Sequence, residues 1–171
     1  MRNENGFTLV ELLAVVALMA VLLTIAAPAV LSFTTRMKAD MFCNKVDTVV
    51  KSAQMFGQDN MASIIGGRDG LGTPCAYYTT GAATSTPVAQ CYITDVKVLL
   101  TKGYLTKEAA KKDQTPDDFF DPRDGKSMKG NNIFVYVVNK RAYAAYVFSN
   151  LNDAELCDGK YYMNGTNVYT R

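Results

Sequence analysis

The chain has 171 residues, 49% of them hydrophobic, and a net charge of +2. Setting aside an apolar N-terminal segment leaves about 135 residues, enough for one domain with a real core. Charge this close to neutral argues against nucleic acid as the main partner, although Lys107, Lys111 and Lys112, and Lys140 and Arg141, form local basic clusters. The absence of histidine removes the commonest general base and zinc ligand. With no Gly-rich phosphate loop and no nucleophile with an identifiable base, neither an enzyme nor a cofactor is expected.

The first element is a long apolar helix. Leu12 to Leu31 carries no charge over twenty residues, which at about 1.5 Å per residue spans a hydrocarbon core of about 30 Å. A secretory signal peptide has a shorter apolar run followed by a small-residue cleavage site, so this segment is expected to anchor the chain. Arg2 is opposed by Glu4 and Glu11 on one side, and Arg36 and Lys38 by Asp40 on the other, so flanking charge alone does not orient it. The cysteines and the large polar C-terminal part place the head outside the cell.

Glu11 stands just ahead of the apolar run. Thr8-Leu9-Val10-Glu11 fits a capping box, in which Thr8 and Glu11 satisfy each other's backbone N–H groups at a helix start. If instead the chain is cut after Gly6, Phe7 gains an α-amine that this carboxylate can reach, in its own helix or in a neighbouring copy. Such a pair in low dielectric fixes the axial offset between helices. The residues leave both readings open.

GFTLVELL, followed by the uninterrupted apolar run, resembles the processing site of type IV pilins and pseudopilins. The resemblance covers Gly6 to about Phe33. It implies a leader Met1–Gly6 removed by a prepilin peptidase, N-methylation of Phe7, and a glutamate, here Glu11, that guides assembly. Pro28 stands where family members often carry a proline, and a helix proline removes a backbone hydrogen bond. The resemblance also implies an α+β pilin fold, a long N-terminal helix packed on a C-terminal antiparallel β-sheet head. The domains are then 1–6 (leader), 7–33 (transmembrane or filament-core helix) and 34–171 (head, including the amphipathic half of the helix).

After Phe33 the helix becomes amphipathic. Phe42, Val46, Val49, Ala53 and Phe56 follow a 4-3-4-3 spacing that faces a core, with Lys38, Asp40, Lys45, Asp47 and Lys51 mostly off that stripe. The helix is expected to run to Met55 or Ile65, before Gly66-Gly67. Residues 66–92 read as a loop. Thr94 is expected to cap a short helix from Asp95 to Lys102, ended by Gly103. Asn132–Val138 and Ala142–Phe148 read as strands of a hairpin around Asn139-Lys140-Arg141, and Lys160–Met163 and Asn167–Thr170 as another around Asn164-Gly165. LLTKGYLTKEAA and DPRDGK are similar to the heads of pseudopilins and of pilins from Gram-positive bacteria.

The four cysteines, Cys43, Cys75, Cys91 and Cys157, contain no C-x-x-C pair. An even count behind an anchor segment points to disulfides in an oxidising compartment. Three pairings exist; Cys75–Cys91 is the shortest closure, contributing about 3 kcal/mol. Four reduced thiols, buried as small hydrophobes, are the other reading. Asp117, Asp118, Asp121 and Asp124 crowd one stretch and form a weak calcium candidate. Without EF-hand spacing, and with Arg123 and Lys126 among them, a solvated turn set by Pro122 and Gly125 is the better reading, and no metal is expected.

The expected function is a structural subunit of a type IV pilus or related filament, serving adhesion, motility, DNA uptake or secretion. Its partners would be other pilin subunits, prepilin peptidase, the pilus assembly platform and the cytoplasmic membrane, with DNA disfavoured by the charge balance. It would be a single-pass membrane protein before assembly and part of an extracellular surface filament afterwards. The alternative is a single-pass anchored extracellular binding domain that never polymerises, with Glu11 only capping its helix.

Overall fold

The computed structural model describes residues 8–65, 73–74, 91–109, 115–164 and 167–171. The elements in chain order are α1 (Leu9–Asp59), α2 (Met61–Ile65), β1 (Thr73–Pro74), β2 (Cys91–Asp95), α3 (Val96–Thr101), β3 (Asn132–Val138), β4 (Arg141–Phe148), α4 (Leu151–Leu156), β5 (Tyr161–Asn164) and β6 (Asn167–Thr170). A long N-terminal helix followed by a mostly antiparallel sheet is the α+β arrangement of the pilin fold. By internal contacts the chain divides into Met1–Lys38 and Ala39–Arg171.

In the second unit the C-terminal part of α1 supplies the centre of the core. Phe42, Val46, Val49, Ala53 and Phe56 are all buried, as their spacing predicts. They join Val96, Leu99 and Leu100 of α3 and Ile133, Val135 and Val137 of β3 in one cluster. Gly57 completes the fit, because a Cβ there would stand 2.7 Å from Val135 Cγ1. α1 ends at Asp59, between the two expected ends Met55 and Ile65. The Asn60 side-chain amide donates to the Phe56 carbonyl at 2.8 Å, competing with the backbone ladder, and the Asn60 carbonyl then starts α2.

The sheet order is β1-β2-β3-β4-β5-β6. Cys91–Asp95, expected as the end of a loop at residue 92 and the start of a helix at Asp95, instead pairs antiparallel with β3 from Cys91↔Tyr136 to Asp95↔Asn132. This pairing also corrects the cap of α3. Thr94 is held in the strand opposite Ile133, its hydroxyl buried without a hydrogen-bond partner among the described residues, and Asp95 takes the cap by accepting from the Val98 N–H at 2.8 Å. Gly103, at φ +80°, follows the end of α3 as expected.

β3 and β4 form a hairpin with a two-residue turn, Asn139 at φ +49° and Lys140 at φ +61°. Both central residues lie in the left-handed region that a tight hairpin of this twist requires. Arg141 belongs to β4 rather than to the turn. The connection from β4 to β5 holds α4, which the sequence reading missed. Its crossover lets β5 run parallel to β4 through Val147↔Tyr161 and Phe148↔Tyr162. β5 and β6 pair antiparallel, with Asn164 opposite Asn167; the rest of the expected turn lies outside the described residues.

Candidate functional site

Gly6 and Phe7, the expected processing pair, lie outside the described residues. At the first helical turn the Thr8 N–H and the Thr8 hydroxyl each donate to Glu11 Oε2 at 2.9 Å, and the Glu11 N–H donates to Thr8 Oγ1 at 3.3 Å. The capping box is therefore formed, and Glu11 finds its partners within its own helix.

Around and beyond Glu11 the described large apolar side chains from Leu9 to Phe33 are turned outward, between 44 and 76% exposed. An isolated protein rarely leaves a patch of this extent bare, so this surface calls for a cover. Pro28 sits inside α1 without ending it. It has no N–H to offer the carbonyl four residues back. Threonines flank this region: the Thr24 hydroxyl donates to the Val21 carbonyl at 2.7 Å, and those of Thr34 and Thr35 donate to Leu31 at 2.9 Å. Their polarity is absorbed by the helix itself. Among the described residues no helix is long and apolar enough to cross a membrane; the uncharged run Leu12–Leu31 includes positions 25, 26 and 29, whose side chains are not among those described.

In the head, Cys43 of α1 is bonded to Cys157, just after α4, with the Cα atoms 5.2 Å apart. This pairing was one of several open to the sequence. The shorter closure, Cys75–Cys91, lies outside the described residues apart from the backbone of Cys91 in β2.

The acidic stretch is more structured than a solvated turn. Asp121 is buried, 9% exposed, and its carboxylate accepts from Arg123 Nε at 3.1 Å and Nη2 at 2.7 Å. Arg123 also reaches Asp153 of α4, and its guanidinium lies 3.5 Å from the centre of the Phe42 ring. The bonds to Asp121, then those to Asp153, outweigh partial burial and push the guanidinium further up from its already high value. Burial opposes ionisation of Asp118, but the Phe119 N–H, the Ser127 hydroxyl and the Lys129 ammonium prevail and hold its carboxyl below the ordinary 3.8. Asp124 pairs with Lys126 at 2.8 Å, and Asp117 lies 3.9 Å from Lys129. Each of the four carboxylates thus faces a cation of this chain, and among the described residues no acidic, histidine or cysteine group is arranged to hold a metal.

Sequence reasoning missed the joint of Phe42, Arg123 and Asp153, whose members are separated by most of the head. It also missed the pairing of Lys45 with Glu108 at 2.6 Å, which takes that lysine off the solvated face. An arginine flanked by aspartates in DPRD was the available signal for the first.

Neither a curated protein nor a solved structure matches the chain. Residues 1–27 match the family model for the prokaryotic N-terminal methylation motif, which implies processing by a prepilin peptidase. That motif is the class III signal peptide of type IV pilins and pseudopilins, and over these residues it supports a pilin-like precursor.

Proposed function

We propose that this protein is a structural subunit of a type IV pilus or pilus-like filament. Prepilin peptidase cuts between Gly6 and Phe7 and methylates the new amine of Phe7. Segment 7–33 holds the subunit in the cytoplasmic membrane, and on extraction the same segment packs against its copies in the filament, while 34–171 forms the displayed head. The carrying observation is the outward-facing apolar surface of α1 directly behind the methylation motif. Lipid and neighbouring helices are equivalent covers for such a surface, so transfer between them costs little. An assembly platform must supply the work, and adhesion, motility, DNA uptake or secretion would be the service of the filament.

In this reading Glu11 exchanges its Thr8 partners for the Phe7 ammonium of an adjacent subunit. A charge pair in low dielectric is worth more than a cap made to a neutral donor. The competing reading, an anchored binding domain that never polymerises, draws on the same Thr8–Glu11 box, which already satisfies the carboxylate. Mass spectrometry of the mature protein tests processing: loss of Met1–Gly6 with one added methyl is expected, and an intact leader in peptidase-bearing cells sinks the proposal. Glu11→Ala should be cleaved normally yet yield no filaments; normal filaments would defeat the pairing of Glu11 with Phe7, whereas a cleaved parent that never forms filaments would leave the anchored-domain reading in its place.

A further inference from the structure

On the β3–β4 hairpin two tyrosines stand on the sheet face opposite the one that Ile133, Val135 and Val137 turn to the core. Tyr136 and Tyr143 are directly opposite in the strand register, and their rings are stacked, 5.4 Å between centroids and 19° between planes. Tyr143 remains 38% exposed and Val138 beside the turn 40%. Arg141 lies two residues before Tyr143, hence on the same face of the strand. Lys140 occupies the turn at φ +61°, where a glycine would sit without strain.

Exposed cations are spread over the head: Lys51, Lys126 and Arg171 pair with Asp47, Asp124 and Asp158, while Lys97, Lys102, Lys107 and Lys160 stand singly, without an ion pair among the described residues. Lys140 and Arg141 have no ion pair among the described residues, and they are adjacent. The near-neutral total of the chain conceals a local excess of positive charge beside an exposed aromatic stack. The complementary ligand is a polyanion that also offers flat rings.

We propose that this face binds single-stranded nucleic acid. An unpaired base stacks on the free side of Tyr143, which Tyr136 supports from beneath, and Arg141 and Lys140 take the flanking phosphates. Stacking accepts any base, so the site has little sequence preference. A duplex keeps its bases inside and offers only its phosphates. The inference goes beyond the filament reading and does not require it, because one subunit carries the whole site.

The test uses the full chain in detergent micelles and the fluorescence anisotropy of a fluorescein-labelled oligothymidylate at low salt. With two phosphate contacts, the slope of log K against log salt should be about −1.4, and Arg141→Ala should reduce it by about 0.7. Tyr143→Ala should weaken binding roughly 5- to 100-fold, whereas Tyr143→Phe, which keeps the ring, should bind as the parent does. Absence of saturable binding, equal affinity for duplex DNA or for an acidic polysaccharide such as heparin, or an unchanged Tyr143→Ala variant would overturn the proposal. Filaments formed by a protein that ignores the oligonucleotide would remove this inference alone. Oligonucleotide binding by a protein that never polymerises would remove the filament reading alone.

Discussion

Cys43 and Cys157 are covalently joined although 114 residues separate them in sequence. The bond ties α1 to the end of α4, and so holds the C-terminal segment to the helix that organises the core. β5 meets β4 through two residue pairs, Val147↔Tyr161 and Phe148↔Tyr162, and the disulfide adds a covalent constraint to that segment.

Replacing both cysteines by serine should therefore be costly. Closing a loop of this length removes about 4–5 kcal/mol of chain entropy from the unfolded state in the chain-entropy treatment. That is a large fraction of the roughly 5–15 kcal/mol that stabilises a typical domain. Urea unfolding of the double variant should show a much lower midpoint, and the reduced parent should match it. An unchanged midpoint would mean that the rest of the segment's packing suffices.

Arg123 joins the turn Asp121–Asp124 to α4 through Asp121 and Asp153 while covering Phe42. Arg123→Ala leaves two carboxylates without their cation, one of them buried, and should cost about 3 kcal/mol. Arg123→Lys keeps the charge but not the fork that reaches both acids, so its loss should be intermediate. A lysine variant as stable as the parent would show that charge alone matters here.

Gly159 faces the Phe148 ring so closely that an added Cβ would lie 2.0 Å from Phe148 Cε2. Phe148 is buried at 2% exposure. Gly159→Ala should destabilise by roughly 1–3 kcal/mol through overpacking. Pairing it with Phe148→Leu should recover part of that loss. Additive effects of the two changes would argue against the contact.

Acid should weaken the head through Asp118. Its folded value lies below the ordinary 3.8, so its contribution is complete above that value and is lost as pH falls through the folded one. Stability measured in urea should thus be level near neutrality and decline below about pH 4. Asp118→Asn should be less stable at neutral pH and show a shallower decline in acid. A decline as steep as the parent's would assign the effect to other carboxylates.

Much of the architecture was legible because it rests on short-range regularities. The 4-3-4-3 spacing from Phe42 to Phe56 named the buried stripe of α1, and alternation with a turn at Asn139 named the β3–β4 hairpin. Thr8 and Glu11 found each other because a capping box needs only three intervening bonds' worth of helix. Errors arose where two local solutions compete. Thr94 and Asp95 can both cap α3, and the ladder between β2 and β3 decides by claiming Thr94 for the strand. α4, with six residues, is too short for periodicity to show.

By itself the sequence determined the N-terminal motif, the apolar helix behind it, the buried stripe of α1 and the two strand pairs β3–β4 and β5–β6. These depend on contacts within a few residues, whose geometry the backbone dictates. Only the tertiary structure decided which cysteine meets Cys43, that Arg123 bridges Asp121 and Asp153 over Phe42, and that β5 lies parallel to β4. Those relations join residues far apart in the chain. They are selected by which surfaces the core brings together, a choice that no local pattern encodes.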